Sequence, residues 1–122
     1  MAPVEKTVVA WLNADPALAD WPASMDVPFD SDSADPSTFV TVERVGGVEE
    51  WFRSRPLVAV QVWGRSSYQV ADAASSLVLP RLQRLPLLDM VACVDVTGMS
   101  DFPAPDGRAR YQILIQPTIQ VG

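Results

Sequence analysis

Phe39-Val-Thr-Val-Glu-Arg-Val-Gly-Gly47 and Arg55-Pro-Leu-Val-Ala-Val-Gln-Val-Trp-Gly64 are the two runs whose reading decides the fold. The first is rich in β-branched residues and predicts a strand over 38–45. Gly46 and Gly47 then supply the positive φ that a chain reversal needs. A connection over 48–54 leads into a second strand over 57–63. Val58, Val60 and Val62 line one side of it, and Leu57, Ala59, Gln61 and Trp63 the other. Pro56 has no N–H to give a ladder, so it fits as the first strand residue or on an edge.

Working outward, Val4, Val8, Trp11 and Leu12 recur at helical spacing behind Pro3 and predict an opening helix that Asp15-Pro16 ends. A short strand is expected at 25–27, and an exposed acidic loop up to Pro36. Beyond Gly64, Ser66 or Ser67 is placed to cap a second helix. Tyr68, Ala71, Ser75, Val78, Leu82 and Leu85 then fall three and four apart on one face. Pro80 removes a backbone hydrogen bond, so that helix should end near Leu79 or kink there, and Pro86 closes the segment. A strand over 89–97 and a turn-rich loop over 98–107 precede the cleanest alternation in the chain. In the final run Tyr111, Ile113, Ile115, Ile119 and Val121 alternate with Gln112, Gln116, Thr118 and Gln120, Leu114 being the exception. One face of that strand should pack on a core, with Pro117 marking a bulge or an edge. The order α-β-β-β-α-β-β predicts an α+β fold of one domain over 1–122, with two helices packed on one face of a mostly antiparallel sheet.

Composition excludes much chemistry. The 122 residues include no histidine and one cysteine, which removes imidazole acid/base catalysis and every His-containing metal site. Cys93 sits in the apolar run Met90-Val-Ala-Cys-Val94 and reads as a small buried hydrophobe in a reducing compartment. No basic segment precedes an apolar one at the N-terminus, and no run reaches the ~18 apolar residues of a membrane span. The expectation is a protein made and folded in cytoplasm. The net charge of −6 lies in the first half, where residues 1–61 set ten acids against Lys6, Arg44, Arg53 and Arg55. Nothing forms the basic stripe that nucleic-acid binding requires. An acidic surface of this kind serves solubility.

The candidate chemical motifs fail one by one. If Asp30 opens a calcium loop, Asp32 fits its third position, but Ala34, Asp35 and Thr41 stand where a further ligand, the glycine and the closing glutamate belong. No phosphate loop, dinucleotide fingerprint or nucleophile elbow is present. Ser66-Ser67 and Ser75-Ser76 have no histidine base. Glu49 and Glu50, being adjacent, do not converge on one substrate as a glycosidase pair must. Neither catalytic, cofactor nor metal residues are expected.

Trp51 and Phe52 are more telling. They stand between Glu49-Glu50 and Arg53, with Arg55 beyond, in a connection where a monomer ordinarily places polar turn residues. Aromatics beside arginines are what interface cores favour. Glu49, Glu50, Trp51, Phe52, Arg53 and Arg55 are therefore the expected subunit interface, and Phe102, among loop prolines, poses the same question. The competing reading is that both aromatics fold back onto their own sheet.

The full order of segments resembles the tail terminator proteins of long-tailed bacteriophages, especially the short versions in phages of actinobacteria. The resemblance runs from the opening helix through the strands at Phe39 and Arg55 and the Ala/Leu-rich helix from Ser66. It ends with Phe102-Pro-Ala-Pro-Asp-Gly-Arg-Ala-Arg-Tyr-Gln112 entering the last strand. Pro80 and Pro117 depart from the pattern and put the lengths of their elements in doubt. The resemblance implies a non-enzymatic virion protein at the head-proximal end of the tail, assembled in the host cytoplasm. Six copies would form a ring that caps the tail tube and meets a connector or stopper protein of the head, while DNA passes through the lumen without specific binding. A ring needs two different surfaces on each subunit. An exposed strand edge and the aromatic-bearing connection would supply them, and the acidic first half would suit the lumen. Two other readings stay open: a related connector or head completion subunit, and a small cytoplasmic ligand-binding or regulatory α+β domain.

Overall fold

A computed structural model describes residues 3–27, 38–50 and 53–120. Five strands form one sheet in the order β1-β2-β3-β5-β4: β1 (Ala23–Ser24), β2 (Phe39–Glu49), β3 (Arg53–Gly64), β4 (Val91–Asp101) and β5 (Ala109–Gln120). Among the described residues only the short β1–β2 pairing is parallel. α1 (Val4–Asn13) and a long helical segment made of α2 (Ser67–Ala73), a π-turn (Ala74–Val78) and α3 (Leu79–Leu82) pack on one face. The architecture is the α+β arrangement expected. No helix among the described residues is long and apolar enough to cross a membrane.

The core follows from period two in the strands. Val40, Val42, Val58, Val60, Val62, Ile113 and Ile115 are buried on the helix-covered face. Val42 lies opposite Val60, and Val60 opposite Ile113, so one register threads three strands. Against them pack Val4, Val8 and Leu12 of α1 and Val70, Ala73, Ala74, Val78 and Leu82 of the second helical segment. Each fully buried aliphatic side chain contributes about 1.5–3 kcal/mol. On the opposite face Phe39 stacks on Trp63 at 5.3 Å. Trp63 Nε1 donates to Thr41 Oγ1 (3.0 Å) and Gln61 Nε2 to Gln112 Oε1 (3.1 Å), so the polar groups of this face partner one another across strands.

Several expectations need correction. Gly46 and Gly47 do not reverse the chain. They lie inside β2, which continues to Glu49 and pairs with β3 from Ser54 to Trp63, so the reversal falls after Glu49. A register shift between Arg44 and Gly46 makes Val45 the extra residue of a β-bulge. Gly47 has φ +120°, and a Cβ there would stand 2.5 Å from the Arg55 carbonyl oxygen. Its glycine serves strand approach rather than a turn.

Pro56 is neither first in its strand nor on an edge. The pairs Ser54–Ile119 and Val58–Ile115 place it opposite Pro117 in β5, and the β3–β5 ladder lapses between them. Two residues without N–H groups thus share one gap. Gln116 covers part of it by donating through Nε2 to the Arg55 carbonyl (3.2 Å).

Pro80 does not end the second helix. The Leu79 N–H reaches back five residues to the Ala74 carbonyl, and this wider π-turn gives the proline ring room where an α-turn would drive it into the preceding carbonyl. Ser66 caps the helix by accepting from the Gln69 N–H (3.1 Å). Its buried face is carried at the start by Val70, Ala73 and Ala74, whereas Tyr68 and Ser75 are exposed. The first short strand forms at Ala23–Ser24, ahead of the expected 25–27, with Met25 and Val27 exposed. β4 runs on to Asp101, so the following loop is shorter than expected. Cys93 is exposed, not buried. It pairs with Thr118 on the helix-free face of the outermost strand, next to a register shift after Val91, where no layer among the described residues covers it.

Candidate subunit interface

The distal half of the β2–β3 hairpin is an arm. β2 is buried from Phe39 to Val42 and exposed at every residue from Glu43 to Glu49. β1 pairs only with Val40 and Thr41, so among the described residues no strand covers the outer flank of β2 beyond them. The strand persists because β3 holds it by a full antiparallel ladder on the other side. Val45 and Val48 stand in this arm about half exposed (49% and 50%).

Charge pairs brace the arm. Arg44 Nη2 donates to Glu49 Oε1 (2.6 Å), which also accepts from Ser54 Oγ (2.9 Å). The Arg44 hydrogen bond, and after it that of Ser54, hold the Glu49 carboxyl below the usual range. Arg53 Nε donates to Glu50 Oε2 (2.7 Å), which raises the guanidinium pKa further. Both ion pairs are solvent-facing; Arg44–Glu49 runs along β2 and Glu50–Arg53 joins the residue after β2 to the start of β3, so their work is to hold local geometry rather than to supply much energy. Arg55 Nη2 reaches Gln116 Oε1 at 3.5 Å. Of the expected interface residues, Glu49, Glu50, Arg53 and Arg55 are thus gathered at one end of the sheet. Trp51 and Phe52 lie outside the described residues, as do Asp30, Asp32 and Asp35 of the acidic loop.

Phe102 is not part of this group. It stands at the far end of β3, beside Trp63, so the length of the strand, roughly 30 Å or more, separates it from the arm. There Phe102 is 44% exposed beneath the Arg110 guanidinium (4.6 Å), and Arg110 and Arg108 also cover the Trp63 ring. Arg110 Nε donates to the Phe102 carbonyl (2.8 Å), and Arg108 Nε to Asp106 Oδ2 (2.8 Å). The Asp106 carboxyl is held low first by the Arg108 backbone N–H. These contacts tie the loop down over Phe39, Trp63 and Ala104, a small second core.

A further surface had no forecast in the sequence. Thr7, Ala10 and Trp11 of α1 and Ala14 at its C-terminal cap face Leu88 and Met90 across an apolar trough of about 440 Å³, with Lys6 as its one charged lining residue. Trp11 is turned partly outward rather than into the core. Its Nε1 donates to the Arg81 carbonyl (2.7 Å), and the Arg81 guanidinium lies 3.5 Å over its ring. Leu87 beside the trough is 71% exposed. The repeat of small residues at Ala10 and Ala14 was the available signal, but it reads equally as a solvent-facing helix side.

Among the described residues no three His, Cys, Asp or Glu side chains are grouped to hold a metal ion. Two chemically different, partly apolar surfaces stand out instead: the arm and the trough. Comparison with protein-family models finds no match for the chain, and comparison with curated proteins finds none either.

Proposed function

We propose that the protein is a structural subunit of a long-tailed phage virion, a tail terminator whose six copies form a ring on the end of the tail tube and join it to the head's connector. The observation that carries this reading is the arm: a braced β-hairpin end whose outer strand is exposed from Glu43 to Glu49, with Val45 and Val48 about half exposed. A strand edge left open with apolar side chains is an aggregation hazard unless a partner covers it. The ordered segments from the opening helix to the final strand supply the family resemblance. The role asks for assembly surfaces and no catalysis.

The trough favours a second reading. Its volume falls within the roughly 300–1,000 Å³ of small-molecule sites, which would suit a ligand-binding regulatory domain. The mass of the protein at high concentration, with and without tail tubes, separates the two. A six-subunit species is expected; a monomer or dimer that ignores tubes and binds small apolar molecules overturns the ring.

A further inference from the structure

We infer that the ring closes by insertion of the arm of one copy into the trough of the next, with Val45 and Val48 of β2 seated along α1 and Glu43 facing Lys6. This rests on the ring reading and names the two surfaces that meet.

Placement comes first. The row Glu49–Ser54–Ile119–Val91 crosses the sheet from β2 to β4. The arm's open flank is at one end of that row, and Leu88 and Met90, which lead into β4, are at the other. α1, which gives the trough most of its lining, packs over β1 and β2, so the trough crosses the helix-covered side of the sheet and is a surface distinct from the exposed flank of the arm. A contact between them is heterologous: each copy gives an arm and receives one, and the series closes when the rotation per step allows.

Chemistry and length agree. The trough is apolar with Lys6 as its charged residue. The arm offers two exposed valines, and Glu43 is an exposed carboxylate on the same strand, whereas Glu49 and Glu50 already hold Arg44 and Arg53. From Lys6 to Ala14 along α1 is about 12 Å at helical rise. From Glu43 to Val48, with one residue taken up by the bulge, is about 13 Å at strand rise. With Glu43 set at Lys6, Val48 reaches the Ala14 end and Val45 falls between. Gly46 and Gly47 leave the stretch between the valines without side chains, and Ala10 and Ala14 permit close approach.

The test uses two full-length variants that each remove one surface: Val45→Asp with Val48→Asp on the arm, and Ala10→Glu with Ala14→Glu in the trough. All four positions are exposed, and a melting temperature equal to that of the wild type is the control that each variant folds. Masses are measured by sedimentation where the wild type is oligomeric. Each variant alone should be monomeric. A one-to-one mixture should give a heterodimer and nothing larger, because one intact arm meets one intact trough. Either variant keeping the wild-type mass, or a mixture without heterodimer, overturns the arm-in-trough contact while the wild-type ring stands. A wild type that remains monomeric on and off tubes overturns the ring itself. Single-charge changes give a second readout that does not depend on the buried variants: Lys6→Glu should weaken association, and Glu43→Lys in the same chain should restore it. Failure of that rescue counts against the Lys6–Glu43 pairing.

Discussion

The two halves of the β2–β3 hairpin are built from similar residues and meet opposite fates. In the inner half Val40, Val42, Val58, Val60 and Val62 are buried under the helices. In the outer half Val48 belongs to the same ladder, Val45 is its bulged residue, and both are about half exposed. β-propensity and cross-strand hydrogen bonds set how long a hairpin is; the layer packed on it sets which part is core. The bulge at Val45 marks the changeover. Beyond it β2 is exposed but stays paired with β3, braced by the exposed ion pairs Arg44–Glu49 and Glu50–Arg53.

The comparison breaks most visibly at the centre of the sheet. Ile113 is fully buried, and Ile113→Asp places an unpaired charge among helices and strands, costing several kcal/mol of a total near 5–15. The domain should fail to fold. Gln112→Asp on the other face should leave a folded protein with altered assembly at most. Equal solubility and equal melting of the two would show the faces to be misassigned.

Valine truncation sharpens the contrast within one hairpin. Val58→Ala, at 0% exposure, should cost about 2–3 kcal/mol in denaturant unfolding. Val48→Ala should stay within about 0.5 kcal/mol, as surface changes do. A large monomer effect at Val48 would mean that the arm belongs to the intrachain core.

The two glycines divide in the same way. Gly47→Ala forces a Cβ against the Arg55 carbonyl at a positive φ and should cost about 1–3 kcal/mol. The space at Gly46 is open, so Gly46→Ala should be nearly silent in the melting of the monomer. Replacing Trp51 and Phe52 together with Ser should abolish assembly and leave a folded monomer. Unfolding of that double variant would return both aromatics to the core.

The smallest effect is electrostatic. The Glu49 carboxyl, held low by Arg44 and Ser54, is paired above its ordinary range, and the stabilisation of the arm is lost as pH falls through the lowered folded value. NMR titration should find it depressed, and Arg44→Ala should return it toward an ordinary carboxylate. No change on that substitution would show the pair to be absent in solution.

Much of this fold was legible because period-two and helical patterns report burial directly: β5, the ladder core of β3 and the α1 face were all visible. What escaped had physical reasons. Gly46-Gly47 carries the signature of a turn, but a close backbone approach needs glycine as well. Pro80 reads as a helix stop unless a wide turn precedes it, and no residue type announces a π-turn. Tyr68 and Ser75 kept helical spacing on a face that the sheet does not meet. Cys93 lies in an apolar run, but the strand is outermost and the residue points to the bare face. Of the residues proposed for an interface, the charged ones of the hairpin gather at one end of the sheet, with Phe102 apart. The trough was missed because Lys6, Ala10 and Ala14 look like ordinary solvent-facing helix, and only the approach of Leu88 and Met90 makes them a surface.

The most direct test of the ring is electron microscopy of the purified protein mixed with tail tubes of a long-tailed phage. The account predicts six-fold density capping one end of each tube, absent from tubes mixed with the Val45→Asp, Val48→Asp variant. Bare tube ends with wild-type protein in excess would contradict it.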